Sequence, residues 1–160
     1  MPYQLYHFNG SKEFIKSNSM VSDLAMTAQH VLNTISGAFL REQLLRIALD
    51  EMGWTQGDTW NIVAGKKCRY LGCKRGVGLE ANLGIYDYIV EGAMRLQVGY
   101  DKGQIDAGIL LLTNQGMPKC MEEDIYPQLE KDMNALAPTI SLPLCICLYD
   151  FSNQVGCNGQ

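Results

Sequence analysis

The chain has 160 residues, 47% of them hydrophobic and 19% charged, with a formal net charge of −4. That is the length of one domain with enough apolar content to bury a core, which excludes a disordered chain. No run reaches the roughly 18 apolar residues a membrane-spanning helix needs, and a net negative charge speaks against nucleic-acid binding by bulk attraction alone.

Residues 1–19 are mixed, with a short apolar–basic segment around Phe14, Ile15 and Lys16. The opening Met1-Pro2-Tyr3-Gln4 has no basic region followed by an apolar block, so no secretory signal is expected. Ser22 is placed to cap a helix running to about Asn33, with Leu24, Ala25, Ala28, Val31 and Leu32 as its stripe. A second helix is predicted from about Ala38 to Met52, stopped by Gly53. The period then changes. Thr59–Val63, Lys67–Lys74 and Val77–Leu83 are rich in β-formers and are separated by Gly65 and by Arg75-Gly76, which predicts three antiparallel strands in a meander. A helix follows from Ile85 to about Tyr100, with Ile89, Ala93, Leu96 and Tyr100 on one face and with Gly92 and Gly99 weakening it.

Ile105–Thr113 is a near-continuous apolar run, as in a strand covered on both faces. Pro118 suits the first position of a helix that ends near Asn134 and that Pro127 perturbs. Leu142–Tyr149 is the last strand, and residues 151–160 read as a polar tail. The order α-α-β-β-β-α-β-α-β predicts an α/β fold, a mixed five-stranded sheet with helices on both faces. A single domain over 1–160, with its core over about 20–150, accounts for the whole chain.

Charge is uneven. Residues 1–80 carry nine Lys/Arg against seven Asp/Glu, and residues 81–160 four against ten. Five of the thirteen basic residues, Lys66, Lys67, Arg69, Lys74 and Arg75, fall together. They either contact phosphates or solubilise a hairpin. On the strand that follows, Val77, Leu79, Ala81 and Leu83 share a core face, and Gly78, Glu80 and Asn82 share the other. Glu80 is the one charged residue of that strand, and Gly78 is expected to leave room beside it. A carboxylate on a rigid strand, with an amide two residues on, suits a hard cation such as Mg²⁺, which polarises phosphoryl oxygens and activates water. The bland reading is a glutamate that solvates a strand end.

The six cysteines match no paired zinc spacing and are expected to be reduced thiols in a cytoplasmic protein. His7 and His30 lie far apart without an obvious catalytic partner and read as structural. No GxGxxG motif opens a helix, and no Walker motif is present.

Taken together, Gly76-Val-Gly-Leu-Glu-Ala-Asn-Leu-Gly84, the helix end Arg95-Leu-Gln-Val98, and Ile105-Asp-Ala-Gly-Ile-Leu-Leu-Leu-Thr113 resemble the BamHI/BglII group of type II restriction endonucleases, a branch of the PD-(D/E)xK nucleases. Leu142–Tyr149 resembles the group's last core strand, so the likeness covers about half of the chain. It implies the restriction-endonuclease core, Mg²⁺-dependent (or Mn²⁺-dependent) hydrolysis of double-stranded DNA, a homodimer and a role in restriction–modification. It makes Glu80 the metal ligand, with Asn82 at the third motif position and Glu51, or Glu42, as the helix carboxylate. Lys74 or a neighbour would stabilise charge on the phosphate. The chain departs from the pattern at the family's metal Asp, which falls nine residues before the Glu and is Leu71 here; no Asp or Glu lies between Thr59 and Leu79.

Three functions are therefore open. One is a metal-dependent endonuclease. Another is a catalytically inactive relative that binds DNA or a protein partner. The third is an unrelated α/β protein with a structural or regulatory role.

Overall fold

The computed structural model describes residues 2–37, 41–56, 62–63, 69–118 and 124–151. In chain order the elements are β1 (Tyr3–Phe8), α1 (Ser11–Ser17), α2 (Val21–Ile35), α3 (Arg41–Glu51), β2 (Gly72–Lys74), β3 (Val77–Asn82), α4 (Tyr88–Asp101), β4 (Ala107–Thr113), α5 (Tyr126–Leu136) and β5 (Leu144–Tyr149). The sheet order is β1-β5-β4-β3-β2. Its centre, β3-β4-β5, is parallel, and the two edges pair antiparallel. The expected α/β architecture is present, a mixed five-stranded sheet covered by helices on both faces.

The reason lies in the apolar content of the central strands. Every residue of β4 and β5 is buried, so neither strand has a face it can give to water. Alternation then divides their side chains between two cores. Ile109, Leu111, Cys145 and Cys147 join Val77 and Leu79 under α1, α2 and α3. Leu110, Leu112, Leu144, Ile146 and Leu148 meet Ile89, Ala93 and Leu96 of α4 and Leu129 and Met133 of α5. The crossovers through α4 and α5 step across the sheet in the same direction and pass over the same face, as a common handedness requires.

Element order differs from expectation in two places. The N-terminal segment, mixed in sequence and absent from the expected element order, forms β1 and α1. In β1, Tyr3 and Leu5 pack on one core and Tyr6 and Phe8 on the other, so apolar and polar residues never separate by face and the period-2 signal is lost. Among the described residues, the expected meander is present as the hairpin β2–β3. Arg75 and Gly76 both have positive φ, 49° and 78°, the geometry of a tight two-residue hairpin turn. Of the first expected strand, residues 59–61 lie outside the described residues and Ile62 and Val63 sit in a bend. Its neighbour Thr55 makes one isolated antiparallel bridge to Cys73.

Helix ends shift as well. Ser22 does not cap α2; it lies within the first turn and its hydroxyl faces the Met26 sulfur at 3.8 Å. Pro127 lies in the first turn of α5, where a missing N–H costs nothing, so it starts the helix instead of perturbing it. Among the described residues no helix is long and apolar enough to cross a membrane.

Candidate functional site

The site is built where α4 lies over β3. Glycine permits the approach. A Cβ at Gly92 would sit 2.5 Å from Leu110, and one at Gly99 would sit 1.2 Å from the Tyr70 hydroxyl. These glycines are therefore contact points of the helix, Gly92 with the sheet and Gly99 with the segment before β2, and not simply weak spots in it. Arg95 stands between them, and its side chain comes down onto β3.

Glu80 meets it there. Arg95 Nε donates to Glu80 Oε1 at 3.1 Å, and the Tyr88 hydroxyl donates to Oε2 at 3.3 Å. A terminal nitrogen of Arg95 also donates to the Arg69 carbonyl at 2.7 Å, tying in the segment that leads to β2. The Glu80 side chain is 5% exposed. Burial pushes its carboxyl above the ordinary carboxylate range; Arg95 and Tyr88 pull it back in part, and Glu91, on the exposed side of α4, pushes it further up. Burial also raises the Cys73 thiol to about 12, with the neighbouring Glu80 charge adding to it.

Two expectations are corrected here. Gly78 and Glu80 are not on an open face but are covered by α4, and the space beside Gly78 is filled by Ile105 and Leu96, 3.0 and 3.2 Å from where a Cβ would stand. His30 has a partner, Glu51, with Nε2 2.8 Å from the carboxylate. Both misreadings share a cause: a single strand or helix does not reveal which element will cover it.

The remaining candidates are spread out. Glu51 ends α3, on the opposite side of the sheet from Glu80, and is more than half exposed in its pair with His30. Glu42 and Asn82 both line a cleft of about 420 Å³ beside the C-terminal end of β3, together with Arg41, Leu83 and Gly84. The Asn82 side-chain Oδ1 accepts from the backbone N–H groups of Gly84 (2.8 Å) and Ile85 (3.2 Å), which shapes the turn leaving β3. Lys74 points to the α2–α3 side, away from Glu80, where its ammonium donates to the Met52 carbonyl at 3.0 Å and lies 3.4 Å from Asp23. Arg75 shares that Asp23 at 3.5 Å. Leu71 packs on the same side, and Arg46 holds its carbonyl. Lys66 and Lys67 lie outside the described residues. The residue that the sequence reading missed is Arg95. Its signal was a lone cation between two glycines seven residues apart on one helix.

The site thus lies on a sheet with a parallel three-strand centre and antiparallel edges, its acidic residue on the strand after a hairpin. The structure is similar to that of restriction endonuclease BglII complexed with a DNA 16-mer, with a TM-score of 0.64 and 13% identity over 94% of this chain and 77% of that one. It is also similar to free BglII, with a TM-score of 0.57 and 15% identity over 93% of this chain and 79% of the other. At such identities the likeness is one of fold. No protein-family profile and no curated protein sequence matches the chain.

The divalent ion that the family resemblance implies would need several oxygen ligands. Among the described residues no three His, Cys, Asp or Glu side chains come together as a metal-holding group. The Glu80 carboxylate is already committed to a guanidinium and a phenol. The described residues, in this arrangement, do not fit a Mg²⁺ or Mn²⁺ centre.

Proposed function

We propose that the chain is a duplex-DNA-binding protein built on a restriction-endonuclease-like core, with its Glu80 centre closed by Arg95 and not arranged for hydrolysis. The observation that carries this reading is the Glu80–Arg95 ion pair at the heart of a fold shared with an enzyme seen on DNA. A buried carboxylate already neutralised by a guanidinium is a poor ligand for a second cation, because the two positive charges compete for the same oxygens. The two-fold symmetry of duplex DNA favours a homodimer as the bound form, and the location consistent with three reduced, buried thiols is the cytoplasm.

A second reading, a Mg²⁺- or Mn²⁺-dependent endonuclease using Glu80 and Asn82, draws on their place on the central strand β3. It requires Glu80 to exchange Arg95 for metal. Equilibrium binding to duplex and single-stranded DNA, run beside a plasmid-nicking assay with each metal, separates the two. The proposal expects a duplex preference and no nicking. Metal-dependent nicking that Glu80→Gln abolishes would replace it with the second reading.

A further inference from the structure

A carboxylate removed from water needs a positive partner, and at Glu80 that partner is part of the protein. Its geometry goes beyond neutralisation. The Arg95 guanidinium bonds to β3 through Glu80 and to the segment before β2 through the Arg69 carbonyl, while its own side chain is rooted in α4. It is 24% exposed against 5% for Glu80, so an anion approaching this edge reaches the cation before the carboxylate. Of the basic residues on the hairpin, Lys74 and Arg75 are turned to the other side and share Asp23. Among the described residues, the cation seen to pair with Glu80 is Arg95.

Guanidinium chemistry suits an anion of one kind. It is planar, permanently charged and weakly hydrated, and its donors match the spacing of phosphate oxygens. We propose that Arg95 is the phosphate-binding cation of this centre, so that duplex DNA is held beside Glu80 without a divalent metal. The inference rests on the DNA-binding reading above and adds which residue makes the contact and what it makes unnecessary. Glu80 keeps the guanidinium in place and, as a neighbouring anion, weakens its hold on phosphate.

The test is fluorescence anisotropy of a short labelled duplex with the whole chain, in EDTA and in Mg²⁺ at matched ionic strength, across a salt series. The wild type is expected to bind equally in both, within about twofold. Arg95→Gln should weaken binding about tenfold or more and lower the salt slope by about 0.9, the value of one phosphate contact. Arg95→Lys should keep the slope, since it keeps the charge, and Glu80→Gln should tighten binding severalfold. Should Arg95→Gln fail to fold with Glu80 stranded, the pair Glu80→Gln and Glu80→Gln/Arg95→Gln gives the same comparison with no buried charge. Tenfold tighter binding in Mg²⁺ than in EDTA, or an unchanged affinity and slope on loss of Arg95, would overturn the inference. A wild type that binds no duplex in either buffer would overturn the DNA reading itself.

Discussion

The two faces of β3 solve the same problem by opposite means. Towards α1, α2 and α3 the strand presents Val77 and Leu79, both fully buried among other apolar side chains. Towards α4 it presents Gly78 and Glu80, and burial there depends on an ion pair and on close contact with a helix. The apolar face gains from dispersion and dehydration, is indifferent to direction, and loses stability in proportion to volume removed. The polar face is directional, so each group there is worth little alone and is costly to strand.

Removing one partner of the pair should therefore have the largest effect. Arg95→Met leaves a buried, unpaired carboxylate and should cost about 4 kcal/mol in chemical unfolding. Adding Glu80→Leu to it should recover most of that loss. A double variant no more stable than Arg95→Met would mean the two faces do not differ as described. On the apolar face, Leu79→Ala should cost about 3 kcal/mol, and no second substitution at a charged site should rescue it.

Glu80→Gln should have a smaller effect, and one that depends on pH. Its carboxyl is raised by burial, so protonation favours the folded state: the stability it contributes is full below its unfolded value and is lost as pH rises through the folded one. The melting temperature of the wild type relative to Glu80→Gln should thus fall as pH climbs out of the ordinary carboxylate range, then level off. A difference that stays flat from about pH 4 to pH 8 would show that the pair, not burial, sets this titration. The smallest effect is expected outside both faces. Glu51→Ala breaks an exposed contact with His30 and should change stability by less than about 1 kcal/mol, measured in the same denaturant series.

Much of the fold was legible because the central strands are insensitive to context. A run such as Ile109–Leu112 has no alternative to burial on both sides, and Arg75-Gly76 has few alternatives to a hairpin turn. The position of Glu80 on β3 followed from alternation in the same way. Its surroundings did not, because they are supplied by residues fifteen positions away on α4 and by the carbonyl of Arg69. Gly92 and Gly99 look like flaws when the helix is considered alone and become requirements once the sheet lies beneath it. Edge elements were lost for the converse reason: β1 is half-buried on both sides, and its pattern averages out.

That edge strand also bears on how the molecule assembles. β1 pairs with β5 along its whole length, and the residues it meets lie between 136 and 146 positions further along the chain. Closing so long a loop carries an entropic cost before any of the six paired positions is rewarded. Among the described strands, β1 is synthesised before the others and its partner after them. The local hairpin β2–β3 and the crossover from β3 through α4 to β4 can form while β1 still has nothing to pair with. The sheet is therefore expected to close at this edge last, joining the beginning of the described fold to its end. Hydrogen-exchange labelling during refolding would detect this as late protection of residues 3–8 relative to residues 72–82.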